Sequence, residues 1–391
     1  MTSPIRVSIL GATGSVGEST LDIIATSETP VFNTVALTAH SNVEGLAAAA
    51  RRVNAELAVI AEDRLYHDLK TALAGTGIEV AAGHQAVVEA AERPADRIVS
   101  AIVGIAGLPA TLAAVRRGAC VAIANKESLV CAGRLLTEEA RRSGARLLPI
   151  DSEHNAIFQV LDRPARVEKL ILTASGGPFR TSSVGEMAAV TPEQACKHPK
   201  WQMGRKISVD SATMMNKGLE LIEASYLFDM PESRIDVLIH PQSIIHSLVA
   251  YDDGSVLAQL GMPDMRTPIS YALAWPDRMP LPGLERLDLA KIGRLDFEQP
   301  DEGRFPALRL ARLAAAAGGA GPIALNAANE VAVAAFLQRR VGFLKISQTA
   351  GEVLDEFLDK GPDAAPDSFE AVYEIDRLAR ERALQTLRSA A

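Results

Sequence analysis

The chain reads as an α/β protein: a Rossmann-like parallel sheet at the N-terminus, a central mixed α+β domain and a C-terminal helical bundle. Three observations predict this. Short apolar runs alternate with helical stretches through the first 150 residues, as in a doubly wound parallel sheet covered on both faces. The pattern then shifts to strands joined by hairpin chemistry, and finally to helices alone. At 391 residues, with 48% hydrophobic and 23% charged residues, the chain is also too long for one core.

In order, the first strands are expected at IRVSIL, TVALTA, LAVIA, RIVSAIV, CVAIAN and ARLLPI. The middle segment offers VEKLILTAS, DVLIHP, SIIHSLVAY and SVLAQL, with Asp252, Asp253 and Gly254 turning the last two into an antiparallel hairpin. Pro276, Pro280, Pro282 and Gly283 interrupt the pattern. Helices resume at RLARLAAAA, NAANEVAVAAFLQRR, ISQTAGEVLDEFL and SFEAVYEIDRLARERALQTL. The expected division is 1–150, 151–275, a linker at 276–300, and 301–391.

A formal charge of −8 argues against a broad basic face for nucleic acid, which needs clustered Lys and Arg. A small anion held by local donors stays compatible with it. Three scattered cysteines, Cys120, Cys131 and Cys196, suggest neither a disulfide framework nor a zinc site and fit a reducing cytoplasm. No secretion signal and no run of about 18 apolar residues is read, so no membrane role is expected.

Gly11-Ala-Thr-Gly14-Ser-Val-Gly17 directly follows the first strand and leads into a helical run. Glycines there permit a tight turn and close approach to a pyrophosphate at a helix N-terminus. The spacing is GxxGxxG rather than GxGxxG, so a plain strand-to-helix turn is the competing reading. The second strand ends in Ala39-His40-Ser41-Asn42 without the carboxylate that holds ribose hydroxyls in NAD enzymes, which favours NADPH. Asn125, Lys126 and Glu127 follow the strand CVAIA, where open α/β sheets gather ligand contacts; a surface lysine is the alternative.

Asp151 and Glu153 close the strand LLPI, and in an extended segment that spacing aims both carboxylates to one face. With Glu220 they form an all-oxygen donor set, the chemistry of Mg²⁺ or Mn²⁺, with Co²⁺ a third candidate. A helix cap at Asp151 and a solvated Glu153 is the bland alternative. The segment His198 to Glu223 concentrates anion donors: Ser211, Asn216 and Lys217 read as the opening of a helix whose free N–H groups favour a dianion. Ser175-Gly176-Gly177-Pro178 reads as an anion-holding turn or an ordinary one. His198, Trp201, Met203 and Gly204 suggest a lid that excludes water, although Trp201 suits a core equally. Among His240, Ser243 and His246, Ser243 is the strongest candidate, since buried histidines are more often structural.

Taken together, GATGSVG, NKESLV, DSEHNAIFQ, SGGPFR, HPKWQMGRKISVDSATMMNKGLE, HPQSIIHS and GMPDMRTPI closely resemble the 1-deoxy-D-xylulose-5-phosphate reductoisomerase family of the non-mevalonate isoprenoid pathway. The match runs over nearly the whole chain. The resemblance implies an NADPH domain, a catalytic domain bearing metal, substrate, lid and dimer contacts, and a helical domain, in a cytoplasmic homodimer. It assigns Thr13, Gly14, Ser15, Val16, Ser41, Asn42, Asn125, Lys126, Glu127 and Gly204 to the cofactor, and Asp151, Glu153 and Glu220 to the metal. Lys126, Ser152, Glu153, His198 and Glu220 fall around the substrate's reacting carbons, with Lys126, Asp151, Glu153, Glu220 and His198 as the catalytic set. Ser175, Ser211, Asn216 and Lys217 fall around its phosphate, with Trp201 above.

The implied reaction rearranges 1-deoxy-D-xylulose 5-phosphate, by retro-aldol cleavage or an alkyl shift, and then reduces the resulting aldehyde to 2-C-methyl-D-erythritol 4-phosphate. A Lewis-acid cation would stabilise the oxyanions of both steps. One departure stands out: Ser41 occupies the turn where many members carry a lysine, leaving the 2′-phosphate without its usual partner. An NADP-dependent dehydrogenase of the homoserine or semialdehyde type would share the domain order; the semialdehyde type needs an activated cysteine, which none of the three contexts supplies, and a metal requirement for turnover would disfavour the dehydrogenase reading further. A non-catalytic nucleotide sensor would need neither metal carboxylates nor a phosphate cradle.

Overall fold

The computed structural model describes residues 3–28, 31–197, 203–360 and 365–389. The chain divides into two compact units: residues 1–128, 136–155 and 264–285 form the first, and residues 129–135, 156–263 and 286–391 the second.

The first unit is built on a seven-stranded sheet of β1 (Ile5–Leu10), β2 (Phe32–Ala39), β3 (Leu57–Ile60), β4 (Glu79–Ala82), β5 (Arg97–Ser100), β6 (Cys120–Ile123) and β7 (Arg146–Pro149). Their order is β4-β3-β2-β1-β5-β6-β7, and every pairing is parallel. Strands β1, β3, β5 and β6 are nearly wholly buried, which explains their continuous apolar sequences. The sequence reading missed β4. Its residues, EVAA, are exposed to half-buried and sit at the sheet edge, so they carry neither a core run nor β-branched enrichment. The order reverses between β1 and β5, and in such sheets ligands bind beyond the carboxyl ends of the strands at that point. The glycine turn after β1, Asn125-Lys126 after β6 and Asp151 after β7 all lie along this edge. The helix Arg266–Ala274 completes the unit. Arg97 Nε donates to Leu273 O at 3.1 Å, and Asn155 Nδ2 reaches Pro149 O at 2.8 Å and Pro268 O at 3.3 Å.

The second unit has a mixed sheet of β8 (Val167–Ala174), β9 (Ile235–Ile239), β10 (Ile245–Tyr251) and β11 (Val256–Leu260), ordered β11-β10-β8-β9. The β10–β11 hairpin is antiparallel about Asp252–Gly254, as its turn residues predict. The helix Met215–Leu227 is buried on two sides. Leu221 and Ala224 pack with Leu170, Leu172, Ile235 and Val237 of the sheet. Met215, Leu219 and Ile222 pack against Ala307, Leu310, Ala311, Ala324 and Ala328 of the C-terminal helices Ala307–Ala317 and Gly321–Leu337. The helices Leu344–Lys360 and Phe369–Ser389 complete the bundle. Among the described residues, no helix is long and apolar enough to cross a membrane.

Candidate active site

In the first unit the helix Ser15–Thr26 opens at Gly14, whose extended backbone (φ −87°, ψ 169°) carries no side-chain cap. Its first N–H groups therefore stay available, and Gly14 and Ser15 are exposed while Thr13 and Val16 are half-buried. Gly17 closes the turn tightly: a Cβ there would lie 2.4 Å from Gly11 O and 2.5 Å from Ala12 O. Ser41 is exposed, and Asn42 caps the next helix by accepting from Gly45 N at 2.9 Å. Asn125 is also a cap, since its Oδ1 accepts from Ser128 N at 2.8 Å. Its amide nitrogen donates to Gly104 O at 2.9 Å and to Ile102 O, so it fixes the loop after β5. Glu127 is buried in the first turn of the same helix.

Lys126 places its ammonium 3.0 Å from Asp151 Oδ2, and both side chains are about nine-tenths buried, at 8% and 11% exposure. Asp151 Oδ1 accepts from Glu153 N at 3.1 Å and lies 3.0 Å from His154 Nδ1. Glu153 accepts from the Ser152 hydroxyl. Carboxylate oxygens of Asp151 and Glu153 come within 4.8 Å of each other. The cause differs from the one expected: the segment is not extended. Ser152 and Glu153 begin the helix Ser152–Val160, and Asp151 sits at its N-terminal end. Capping and ligand roles are thus compatible, because one oxygen serves the backbone while the other faces Lys126. The sequence reading passed over His154, which is fully buried and lies three residues beyond Asp151, a spacing that brings helical neighbours together.

In the second unit the turn after β8 rests on the helix Arg205–Ala212. Ser175 Oγ accepts from Gly177 N at 3.2 Å. Gly177 has φ +69°, and a Cβ there would lie 2.7 Å from Ser211 O, so this approach of the Ser175 turn to Ser211 requires glycine. Gly204, at the exposed N-cap of that helix, has no side-chain cap. Ser211 does not open a helix as expected; it lies in the last turn of Arg205–Ala212. Met214 at φ +66° breaks the chain there, and Asn216 and Lys217 occupy the first turn of Met215–Leu227. Both donate to the Glu220 carboxylate. Lys217 and Glu220 side chains are 4% and 1% exposed.

A buried ion pair of this kind contributes little net stability against an apolar pair of similar size, so packing alone does not account for its presence in a two-sided core helix. Glu223, one turn on, is also buried. His240 is structural. Its ring is 2.8 Å from Asp296 O, accepts from Ile244 N at 3.1 Å and stacks on Phe297. Ser243 adopts φ +54° and donates its backbone N–H to His240 O at 3.0 Å. His246 is held neutral, its pKa lowered to about 4 chiefly by burial and further by the charges of His240 and Lys217, against a raising contribution from the Gly261 backbone. His198 and Trp201 lie outside the described residues.

Profiles of known families match three stretches. They are described as 1-deoxy-D-xylulose 5-phosphate reductoisomerase over residues 7–133, its C-terminal domain over 147–228, and the DXP reductoisomerase C-terminal domain over 260–382. The 1-deoxy-D-xylulose 5-phosphate reductoisomerase of Rhodospirillum centenum is 64% identical over 351 residues, 89% of this chain and 87% of that protein. The solved structure of the reductoisomerase from Zymomonas mobilis in complex with NADPH superposes with a TM-score of 0.91 at 54% identity, covering 99% of each chain. A DOX-P reductoisomerase in complex with NADPH, fosmidomycin and magnesium superposes with a TM-score of 0.92 at 42% identity, covering 98% of each. This chain belongs to the 1-deoxy-D-xylulose 5-phosphate reductoisomerase family.

Proposed function

We propose that this chain converts 1-deoxy-D-xylulose 5-phosphate into 2-C-methyl-D-erythritol 4-phosphate with NADPH and a divalent cation, as a step of isoprenoid biosynthesis. The observation that carries the proposal is the largely buried Lys126–Asp151 pair with the half-buried Glu153 beside it, lying on the same sheet edge as an uncapped helix N-terminus. The second supports a pyrophosphate, and the first supports a cation and a polarised oxygen.

The donor chemistry fits the cation. Asp151 and Glu153 supply paired carboxylates in one unit; the buried Glu220 joins them as a third ligand on the family resemblance, and all are hard oxygen ligands suited to Mg²⁺ or Mn²⁺. A bound cation supplies Lewis-acid stabilisation of charge developing on the substrate's carbonyl and hydroxyl oxygens. Lys126 holds Asp151 in place and presents a positive charge in a site largely closed to water. Ser152 orients Glu153 through its hydroxyl. Ser175, Ser211, Asn216 and Lys217 are proposed to grip the substrate phosphate, where binding energy remote from the reacting carbons orders the chain of the sugar. The four glycine-turn residues Thr13 to Val16, with Ser41, Asn42, Asn125, Glu127 and Gly204, are proposed to surround NADPH. His198 and Trp201 are assigned to the substrate on the family resemblance alone. A cytoplasmic homodimer is proposed on the same ground.

The test is oxidation of NADPH in the presence of 1-deoxy-D-xylulose 5-phosphate and Mg²⁺. Turnover is expected to stop with EDTA and to return with excess metal. Glu220→Gln is expected to lower kcat by about a hundredfold or more, since it removes a charged ligand. Undiminished turnover in this variant at low Mg²⁺ would take Glu220 out of the ligand set.

A further inference from the structure

The turn after β2 carries Ser41 and neither lysine nor arginine. A cation nevertheless reaches this edge from the neighbouring strand. The β2–β3 ladder continues past both strands: Ala61 N donates to Ala39 O at 2.9 Å and Glu62 N to His40 O at 3.2 Å. This sets Glu62 beside His40, whose Nδ1 lies 3.4 Å from Glu62 Oε1, while the Arg64 guanidinium pairs with the other oxygen of the same carboxylate. Glu62 is mostly buried, but His40 and Arg64 side chains are 71% and 75% exposed.

We propose that Arg64, anchored by Glu62 and flanked by His40, binds the 2′-phosphate of NADPH in place of the basic residue absent at Ser41. This inference rests on the NADPH reading above. An exposed ion pair of this type does little for fold stability. Its consequence is positional, because Glu62 restrains a long side chain at the end of β2, where the adenosine ribose of a dinucleotide falls in this fold. Guanidinium has five N–H donors, and a single contact with Glu62 leaves others to meet a phosphate oxygen. The pairing of Glu62 with the Arg64 guanidinium also limits its repulsion of an incoming dianion. Asp63 is a further carboxylate in this loop, and its Oδ1 lies against Gly83 at the end of β4.

Calorimetric titration of the full chain with adenosine 2′,5′-bisphosphate and with AMP tests the proposal without turnover. Wild type is expected to bind the bisphosphate more tightly. Arg64→Gln is expected to weaken it about tenfold while changing AMP by less than about twofold, and Arg64→Lys to restore most of the difference. Unchanged bisphosphate affinity in Arg64→Gln, or an equal loss for both nucleotides, overturns the inference and leaves the NADPH reading intact. Equal affinity of wild type for both nucleotides overturns the two together.

Discussion

At the residue scale, the candidate site consists of charges buried against the ordinary preference of a core. Glu220 sits in a helix packed on both sides, and Lys217 supplies its counter-charge. The residue types of both clusters are legible in the sequence, because DSE after a strand and NKGLE in a helix are unusual company for apolar neighbours. Their geometry was less so. The sequence spacing predicts Asp151 and Glu153 as neighbours on an extended strand, whereas a helix start brings them together, and strand exit and helix entry look alike across three residues. His246 gives a testable consequence of burial. Its pKa is lowered from 6.5 to about 4 in the folded chain. Between those values the unfolded chain binds a proton that the folded chain refuses, so stability is full above pH 6.5 and falls as pH drops through the window. The loss amounts to something on the order of 3 kcal/mol when complete. Urea midpoints at neutral pH and near the lower end of the window should show a fall for wild type and a shallower one for His246→Gln. Equal slopes would mean that other groups set the acid sensitivity.

At the element scale, the legible strands were those buried on both faces or alternating in the hairpin, while β4 was lost for want of apolar residues at the edge. The break between the helices Arg205–Ala212 and Met215–Leu227 was hidden for a different reason. A methionine, Met214, takes the left-handed conformation there, and no glycine, proline or asparagine announces the turn. Helix packing also has a point of closest approach that sequence periodicity does not reveal. A Cβ on Gly218 would lie 2.8 Å from Ala311 Cβ and 3.2 Å from Ala307 O. Gly218→Leu is therefore expected to push the helix bearing Lys217 and Glu220 off Ala307–Ala317, with a loss of roughly 2 kcal/mol or more despite better helix propensity. Gly185→Ala is the control: a Cβ there meets nothing within 4 Å, and a gain of about 0.5 kcal/mol is expected. Chemical denaturation measures both, and a stable Gly218→Leu variant would show that these helices separate without penalty.

At the scale of the whole molecule, composition limits the range of functions without selecting one. A net charge of −8 and three scattered cysteines outside any disulfide fit many globular enzymes, and only the ordered series of motifs distinguishes this chain from other nucleotide-binding proteins. Assembly is where the sheet topology adds an expectation. Strand β11 is the outer strand of its sheet, and Val256 and Leu257, consecutive and so on opposite faces, are 52% and 45% exposed. β11, VLAQL, carries neither lysine nor proline, the residues that commonly protect an open edge, so it is a template for further pairing unless something covers it. The homodimer proposed from family resemblance would provide that cover through the β10–β11 hairpin. Light scattering is then expected to give wild type twice the single-chain mass of 41.5 kDa, and the double variant Val256→Lys, Leu257→Lys the mass of one chain. Two lysines on an edge strand disfavour strand pairing while leaving the buried side of β10 untouched, so the variant should remain folded. A double variant that stays dimeric would move the subunit contact away from this edge.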